Sequence, residues 1–392
     1  MAETALHTKI LLIAGGLLVL LVIIIPFALH VAGVDLIRFN SSNASETPNI
    51  QQTSLLRSTD SGRTWTNAAV SENSDIGFPT TILSFTFHPT QQNTIFIGAQ
   101  KNGIFKTENT GKSWKKIVDN NSVLDPKSDV YKIIVSRKDP NIMYVAVFQG
   151  NRGRILKSEN GGRTFKEIYF MPREGIPVFD VFAEPENFNH VIIITGERGM
   201  IESSNGGSTW RVMRWFDEPI QRLYVSPLYP EKMYLITEKH TILKSTNGGL
   251  TWNNITERLE RAGNVSGQNA PFTLNPFSFG SSQAEAFTFI ISPLDGSTLY
   301  VGSAHGLFRS YTEGEWWEKL PILIAPGTLP VTSVSVFPRD EETIFFTAHA
   351  ELHRTDDAGE HWSVKPFPIQ KNIATLLIHP REPATMFAIL SP

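Results

Sequence analysis

A pair of short apolar runs recurs seven times along the chain, and turn residues separate the pairs. The first run of each pair ends near a proline, as in ILSFTFHP (82–89), and the second follows shortly, as in TIFIG (94–98). Both runs are rich in β-branched and aromatic residues, a composition that favours strands. After residue 35, only a weak stretch at Ile255–Ala262 has a helical period. The pattern therefore predicts an all-β fold.

An eight-residue motif accompanies these pairs. It occurs as STDSGRTW, TENTGKSW, SENGGRTF, SSNGGSTW, STNGGLTW, SYTEGEWW and TDDAGEHW. Its closing aromatic residues are 42 to 65 residues apart, at Trp65, Trp114, Phe165, Trp210, Trp252, Trp317 and Trp362. A repeat of about 40–50 residues is typical of propeller blades, each with four strands. Seven motifs and seven pairs of runs predict seven blades.

The two ends of the repeat region complete each other. The first motif, at 58–65, has no pair of runs before it, and the last pair, at 373–390, has no motif after it. We therefore expect a seven-bladed β-propeller over residues 54–392. Its last blade combines C-terminal inner strands with N-terminal outer strands, so that no sheet edge is left open.

The motif is expected to form the turn between the third and fourth strands of each blade. An acidic or amide side chain would accept hydrogen bonds from turn N–H groups, at Asp60, Asn109, Asn160, Asn205, Asn247 and Asp357. Glycine would supply a positive φ, at Gly62, Gly111, Gly162, Gly207, Gly249, Gly314 and Gly359. A hydroxyl residue would add a further bond, and the aromatic residue would pin the turn. The sixth motif has Thr312 and Trp316 at the acidic and hydroxyl positions, so its turn is expected to be the least regular.

The N-terminal segment has a different character. Ile10–Leu29 is twenty residues without a charge, which as a helix would span about 30 Å, the thickness of the bilayer core. We expect an uncleaved transmembrane anchor over 10–33, although Val31-Ala32-Gly33 would also suit cleavage of a secretory signal. Lys9 precedes the segment, which favours a cytoplasmic location for residues 1–9. Residues 34–53 are mostly polar and predict a flexible tether to a propeller outside the cytoplasm.

Composition excludes several classes of site. The chain has no cysteine, which rules out disulfides, thiolate metal sites, cysteine nucleophiles and a lipoprotein anchor. Its net charge of −3 gives no support to nucleic-acid binding. With 41% hydrophobic residues it can bury a sizeable core.

The repeated motif resembles the Asp-box (BNR) repeat, over residues 54–392. Asp-boxes occur in sialidases, two-propeller glucan hydrolases, sortilins and the photosystem II assembly-factor family. The chain looks most similar to the assembly factors, which are single seven-bladed propellers with an N-terminal export or membrane segment. The resemblance implies a role in binding proteins. It also implies an arginine-rich patch, for which Arg152, Arg154 and Arg198 are the expected counterparts.

One face of the propeller is the predicted binding surface. Loops between second and third strands share this face with the linkers between blades. We expect them to gather basic side chains at the channel mouth, namely Lys101, Arg152, Arg154, Arg198, Lys239, His240 and His305. An insertion at 253–285 would project beside them with Phe272, Phe277 and Phe279. Such a surface suits a protein or peptide partner, although loop charges are often only solvated and loops tolerate insertions.

Catalytic chemistry finds little support in the sequence. The sialidase Arg-Ile-Pro motif is absent, and its nearest echo is REGIP at 173–177. A glycosidase would need two carboxylates about 5–10 Å apart near the channel. The candidates are Asp180, Glu184, Glu197 and Glu351. We expect no catalytic residue and no cofactor.

Histidine spacing raises the question of a metal site. His349, Glu351 and His353 would point the same way if all three lay on a strand. His88 and His379, however, share a repeat position just before proline, which indicates a role in turn structure. The calcium-loop spacing D-x-[DN]-x-[DN]-G is also absent. We therefore expect no metal site.

The sequence thus predicts a membrane-anchored, extracytoplasmic propeller that is a non-catalytic binding or assembly factor for a membrane protein complex. Residues 10–29 would contact the lipid bilayer. One alternative is a carbohydrate-binding or glycosidase-related Asp-box protein. Another is a permanent structural subunit of a membrane complex.

Overall fold

The computed structural model describes residues 53–73, 76–263, 287–325 and 328–392. Seven four-stranded antiparallel sheets follow one another along this part of the chain, which confirms the seven-bladed propeller. In blades 1 to 6 the four strands follow one another along the chain from the inner strand to the outer strand. Blades 1 to 3 contain β3 (Ile82–Phe87), β4 (Ile95–Ala99), β5 (Ile104–Thr107), β6 (Lys115–Lys116), β7 (Asp129–Val135), β8 (Met143–Gln149), β9 (Arg152–Ser158), β10 (Lys166–Phe170), β11 (Val178–Ala183), β12 (Val191–Thr195), β13 (Gly199–Ser203) and β14 (Arg211–Trp215).

The remaining blades follow the same order, except that blade 7 is split. Blades 4 to 6 contain β15 (Ile220–Val225), β16 (Met233–Thr237), β17 (Ile242–Ser245), β18 (Asn253–Asn254), β19 (Thr288–Ile291), β20 (Leu299–Ser303), β21 (Gly306–Ser310), β22 (Glu318–Leu320), β23 (Val331–Phe337), β24 (Asp340–Ala348), β25 (Glu351–Thr355) and β26 (Ser363–Pro366). Blade 7 contains β27 (Ile373–Ile378), β28 (Met386–Leu390), β1 (Leu55–Ser58) and β2 (Thr66–Asn67).

The split blade confirms the predicted closure. Strand β28 pairs with β1 in antiparallel register, with Leu55 opposite Ile389 and Ser58 opposite Met386. The C-terminal strands are therefore the inner half of this blade and the N-terminal strands its outer half. Pairing the two ends of the repeat region leaves no open inner edge between them.

The core lies between neighbouring blades. The second strands are buried along nearly their whole length, because the preceding blade covers one face of each sheet and the following blade covers the other. Phe85 of blade 1, for example, packs against Phe387 of blade 7 with ring centroids 5.0 Å apart. Apolar contact between sheets therefore holds the blades in sequence.

Each motif forms the predicted turn between third and fourth strands. In the first, Asp60 accepts a hydrogen bond from the Thr64 amide at 2.9 Å and one from its hydroxyl at 2.6 Å. The buried Ser58 hydroxyl accepts a bond from the Gly62 amide at 2.9 Å, a contact that the sequence analysis did not anticipate. Six equivalent hydroxyls do the same, in Thr107, Ser158, Ser203, Ser245, Ser310 and Thr355.

The motif aromatics connect blades as well as strands. The Trp114 Nε1–H of blade 1 donates to the Ala68 carbonyl, 2.8 Å away, just after the last strand of blade 7. The Trp210 Nε1–H of blade 3 donates to the Ile168 carbonyl of blade 2 at 2.9 Å. In blades 1 and 3, the motif therefore fixes its own turn and its tryptophan also attaches that turn to the preceding blade.

The sixth motif keeps the backbone bonds of the turn but loses one side-chain bond. The Thr312 hydroxyl replaces the usual carboxylate or amide oxygen and accepts a bond from the Trp316 amide at 2.8 Å. The Gly314 amide still donates to Ser310 at 2.9 Å, and Gly314 keeps a positive φ of 87°. In the other six boxes the acceptor side chain also bonds the side chain four residues later, whereas the Thr312 hydroxyl reaches only the Trp316 carbonyl, so this turn is the least regular, as expected.

A short helix, α1 (Thr256–Gly263), occupies the weak helical stretch of the sequence and buries Ile255 and Leu259 beside it. None of the helices in the described part of the chain is long and apolar enough to cross a bilayer. The predicted anchor (10–33), most of the tether (34–53) and the insertion residues Phe272, Phe277 and Phe279 lie outside the described residues. These predictions therefore stay predictions.

Candidate functional site

The two faces of the propeller follow from its antiparallel connections. Turns between second and third strands and the linkers between blades lie at one end of the strands, which we name the loop face. Turns between first and second strands and the Asp-box turns lie at the other end, the box face. The described candidate residues all belong to loop-face turns or to the strands beside them, namely Lys101, Arg152, Arg154, Arg198, Lys239, His240 and His305.

The loop-face turns are tight. Lys101, Arg198 and His240 each have a positive φ, between 52° and 71°. The Arg198 amide donates to Thr195 O at 3.1 Å, and the His240 amide donates to Thr237 O at 2.9 Å, so both residues close equivalent four-residue β-turns. A left-handed backbone conformation is strained for residues other than glycine and persists where the surroundings hold it. The loop face is therefore a set of fixed hairpin ends.

Two of the predicted arginines hold the structure of blade 2. Arg152 donates to the Met171 carbonyl and to Glu174 Oε1, each at 3.0 Å, and also to the Pro172 carbonyl. Arg154 pairs with Glu167 on the neighbouring strand. Arg152 attaches the linker after β10 to strand β9, and Arg154 attaches the edge strand β10 to it. The two guanidinium groups therefore do not form an unpaired positive patch.

Arg198 and Lys239 of the face also have internal partners. Arg198 donates to the Asp217 carbonyl at 2.6 Å, and Lys239 lies 3.3 Å from Glu218 Oε1. Burial alone would raise the pKa of Glu218, but hydrogen bonds from Thr237 and Thr241 and the Lys239 charge lower it. The His240 ring stacks on Phe287, with centroids 4.7 Å apart. Sequence reasoning identified these cations but not the acidic or carbonyl groups that neutralise them.

A cleft of about 500 Å³ opens between blades 1 and 2 on the loop face. The linker of residues 117–128 forms one wall and the β8–β9 turn the other, with Arg154 among the lining residues. The Gln149 amide fixes the two walls together, since its Nε2 donates to Val123 O at 2.7 Å and its Oε1 accepts from Asp125 N at 3.0 Å. Val118 is 73% exposed at this cleft. The cleft combines an apolar lip with polar backbone, which suits an extended peptide.

The same linker is folded around a single carboxylate. Asp119 accepts hydrogen bonds from the amides of Val123 and Leu124, at 2.7 and 2.8 Å, and from the Phe165 amide at 3.2 Å. Burial is the main cause that lowers the pKa of Lys116, whose Nζ donates to Asn102 Oδ1 at 2.6 Å. The sequence analysis did not identify this cleft, because the linker has no repeated pattern. A run of turn residues at 119–122, DNNS, was the available signal.

The inner strands surround a central cavity of about 590 Å³, with side chains from blades 1, 4, 5, 6 and 7 in its wall. Six inner strands have a bulge near their start, and the residues after it in blades 2 to 4 are Lys132, Asp180 and Arg222. Asp180 lies 3.5 Å from Lys132 Nζ and accepts a hydrogen bond from the Leu223 amide at 3.2 Å. The channel wall therefore contains an ion pair between Lys132 and Asp180. The sequence analysis named Asp180 but not Lys132.

The four candidate carboxylates for glycoside hydrolysis each have another partner. Asp180 pairs with Lys132, as described. Glu184 Oε2 lies 3.3 Å from His190 Nδ1, and Glu197 Oε1 lies 3.2 Å from Arg173. Glu351 Oε2 lies 3.5 Å from His353 Nε2. Each of the four candidate carboxylates therefore contacts a basic side chain or a histidine.

The histidine pair of blade 6 is not arranged as a metal site. His349 lies in the turn before β25, with Nδ1 3.1 Å from Asn372 Oδ1, so His349, Glu351 and His353 do not all lie on one strand. His353 is buried and stacks on Phe346, with ring centroids 4.3 Å apart. Burial lowers the pKa of His353. The two rings therefore serve separate local structures.

The interpretation of His88 and His379 as turn residues is confirmed. His88 Nδ1 accepts a hydrogen bond from the Gln91 amide at 2.9 Å, and His379 Nδ1 accepts one from the Glu382 amide at 3.0 Å. Asp357, Glu360 and His361, in the last Asp-box, bring potential metal-ligand atoms within 4.8 Å of one another. There the His361 ring already lies 2.7 Å from the Asp357 carboxylate that caps the turn.

Comparisons with known proteins agree with this architecture. The family model for sortilin, neurotensin receptor 3, matches residues 53–169. A comparison with curated protein sequences gives no match. Among solved structures, YCF48 bound to D1 peptide is 13% identical with a TM-score of 0.57, over 80% of this chain and 94% of that one. YCF48 from Cyanidioschyzon merolae is 13% identical with a TM-score of 0.57, over 79% of this chain and 95% of that one.

Glycoside hydrolases of family GH74 share the fold over a smaller part of their length. The GH74 xyloglucanase from Xanthomonas campestris is 13% identical with a TM-score of 0.58, over 79% of this chain and 50% of that one. The Niastella koreensis GH74 enzyme is 17% identical with a TM-score of 0.54, over 79% and 51%. This chain therefore spans about half the length of the GH74 enzymes. The predicted resemblance is confirmed at the level of fold: the chain is a seven-bladed Asp-box propeller similar to YCF48, to GH74 enzymes and, in its first blades, to sortilin.

Proposed function

We propose that this protein is a membrane-anchored, extracytoplasmic propeller that binds a membrane protein or a subunit of a membrane complex through its loop face, without catalysing a reaction. The observation that carries the proposal is the match with YCF48, which extends over 94% of that chain and was solved with a peptide bound. YCF48 is close to this chain in length, and its structure contains a peptide ligand. It is therefore a better guide to the function of this chain than the longer GH74 enzymes, of which this chain spans about half.

The cleft between blades 1 and 2 is the part of the loop face that we assign to the partner. Its walls are fixed by the Gln149 amide and by the Asp119 carboxylate, so binding requires little ordering of the site. Exposed Val118 would contact an apolar side chain, and Lys116 and Arg154 lie beside it. The wall offers both signs of charge, because Asp125 is also part of it. We therefore infer that the cleft binds an extended peptide segment of the partner with both positive and negative side chains, rather than a strongly acidic one.

The absence of catalysis is part of the proposal. Its support is that Asp180, Glu184, Glu197 and Glu351 each contact a basic side chain or a histidine. The proposed anchor at residues 10–33 and the tether at 34–53 would keep the loop face close to membrane partners. A transient factor and a permanent subunit would differ in the stoichiometry of the recovered complex.

The test uses two exposed valines as a matched pair. Val118 lies at the cleft, whereas Val212 is 48% exposed on the outer strand of blade 3. Full-length tagged protein is extracted gently from native membranes, and the proteins that copurify are quantified. We expect Val118→Asp to reduce recovery of the partner about tenfold or more, since losing about 1.4 kcal/mol of contact has that effect. Val212→Asp should leave recovery unchanged.

Two results would overturn the proposal. One is that the wild-type protein runs alone in native extracts, and the other is that both valine variants recover the same partner equally. Deletion of 265–283 tests separately whether Phe272, Phe277 and Phe279 contribute. Hydrolysis of a polysaccharide panel by the purified protein would contradict the non-catalytic part of the proposal.

A further inference from the structure

Exposed large apolar side chains on the box face are confined to two neighbouring blades. Within the turns that form this face, all of which are described, they occur only in blades 4 and 5, where they are between 41% and 68% exposed: Leu228, Tyr229, Leu250, Tyr311 and Trp316. We name these five residues the apolar patch. Other exposed large apolar residues of the described chain lie on outer strands or loop-face linkers, at Val70, Val118, Phe170, Val212, Trp215, Leu323, Leu329 and Val364.

The apolar patch is continuous. Its members lie in three turns, which are the β15–β16 turn and the Asp-boxes of blades 4 and 5. The Gly248 amide of the blade 4 box donates to Glu231 O of the β15–β16 turn at 2.9 Å. From the same turn, Lys232 Nζ reaches Glu313 of the blade 5 box at 2.7 Å and lies 4.0 Å from the Tyr229 ring centroid. The three turns are therefore held together as one surface.

The fold does not use the Trp316 indole of the blade 5 box for its turn. The position of Trp316 is occupied in the other boxes by residues with short polar or imidazole side chains, which are Thr64, Ser113, Thr164, Thr209, Thr251 and His361. In blade 5 the Thr312 hydroxyl makes the turn bond instead, to the Trp316 amide and not to its side chain. The indole is left 58% exposed. An exposed tryptophan that stabilises nothing in its own turn points to an external contact.

Most of the charged side chains beside the apolar patch form internal pairs. Glu313 pairs with Lys232 and Lys244, at 2.7 and 3.1 Å. Glu315 pairs with Arg258 at 2.8 Å, and Arg309 pairs with Glu318 at 2.6 Å. The Arg309 guanidinium also lies 4.6 Å from the Tyr311 ring centroid. Pairing of these charges lowers the electrostatic cost of bringing the patch against an apolar environment.

We propose that the apolar patch docks into the interfacial region of the lipid bilayer, an inference that rests on the anchor in the proposed function. Tryptophan and tyrosine favour the level of the lipid headgroups, where an apolar ring body and a polar edge are both accommodated. Leucine side chains beside them add apolar contact with the upper acyl chains. The proposed tether of twenty residues (34–53) can extend at most about 70 Å.

This orientation has a consequence for partner binding. With the box face of blades 4 and 5 on the bilayer, the loop face is turned away from the lipid. The cleft between blades 1 and 2 would then meet the extramembrane segment of a partner, not its transmembrane helices.

The test uses the tryptophan distribution of the chain. All eight tryptophans lie in the propeller and none in Ile10–Leu29, so fluorescence reports the propeller alone. Full-length protein is placed in nanodiscs that contain lipid brominated near the headgroup. We expect part of the emission to be quenched, and Trp316→Thr to abolish that quenching. Trp215→Thr removes an equally exposed indole (54%) on blade 3, outside the patch, and should leave the quenching intact.

The outcomes separate this proposal from the proposed function. Trp316→Thr restores the residue type found in other boxes, so its thermal midpoint should match that of the wild type and loss of quenching would not reflect unfolding. Absence of quenching in the wild type, or equal quenching in both variants, overturns lipid docking and leaves the patch to a protein or glycan ligand. If an alkaline carbonate wash releases the wild-type protein from native membranes, the anchor itself is wrong.

Discussion

At the scale of single residues, the Asp-box turn is held by a hydrogen bond whose side-chain acceptor differs from box to box. A carboxylate at Asp60, an amide at Asn247 and a hydroxyl at Thr312 all accept the amide hydrogen four residues later, at 2.8 to 2.9 Å. The carboxylate versions differ in one property, because they titrate. The Thr64 hydroxyl and amide are the main causes that lower the pKa of Asp60 to about 2. The Thr355 hydroxyl and His361 likewise lower the pKa of Asp357.

Replacing both aspartates with asparagine should flatten the acid dependence of stability. A carboxyl group whose pKa is lower in the folded state stabilises that state above the unfolded pKa of about 3.9, and this contribution is lost as the pH falls toward 2. We expect Asp60→Asn with Asp357→Asn to narrow the difference between the urea midpoints at pH 6 and pH 2.5. Asn247→Asp is the reverse control and should widen the difference. An unchanged difference in both variants would contradict this account of the turn.

The sequence alone predicted the positions of three arginines but not the groups that they contact. Arg152, Arg154 and Arg198 were predicted on the loop face from strand order, and their positions there follow from the fold. Their partners, Glu174, Glu167 and the Asp217 carbonyl, come from separate linkers and strands without a repeated spacing. Charge neutralisation therefore depended on three-dimensional contacts that a linear pattern does not encode.

At the scale of elements, each blade is attached to the preceding one through its Asp-box. A Cβ at Gly249 would lie 2.7 Å from Met200 Cε of blade 3, whereas a Cβ at the adjacent Gly248 would meet nothing within 4 Å. The two glycines have positive φ values of 87° and 68°. Gly249 therefore also leaves room for a side chain of the neighbouring blade, whereas Gly248 serves only the backbone conformation of the turn.

Alanine at these two positions separates backbone strain from packing between blades. We expect Gly248→Ala to cost about 1 kcal/mol, since serine, threonine and alanine occupy the same left-handed position in other boxes, at Ser61, Thr110 and Ala358. Gly249→Ala should cost more, about 2 kcal/mol, because the flexible end of the buried Met200 side chain must also move aside. Chemical denaturation of the two variants measures the difference. Equal costs would show that the box glycine serves its own turn only.

The blades themselves could be predicted well, and the elements between them could not. Paired apolar runs fixed the inner strands, and the unmatched first motif and last pair indicated the split blade, which β28 and β1 form. The linker at 117–128 has no repeated pattern in the sequence, and its geometry depends on capping by Asp119. The bulges near the start of six inner strands recur from blade to blade, but the sequence analysis did not predict them.

At the scale of the whole molecule, the two faces have different chemistry. The loop face has paired charges, tight turns and the cleft at Val118. The box face has the apolar patch around Trp316. Together with the proposed anchor, these surfaces would orient the propeller with lipid on one side and a protein partner on the other.

The most direct test of this account is site-specific photocrosslinking in native membranes. A photoreactive amino acid replaces Val118 at the cleft or, as a control, Val212 on the outer strand of blade 3. The account predicts that position 118 crosslinks to an extramembrane segment of a membrane protein and that position 212 does not. Crosslinks of equal yield from both positions, or none from position 118 in membranes that retain the protein, would contradict partner binding by the loop face.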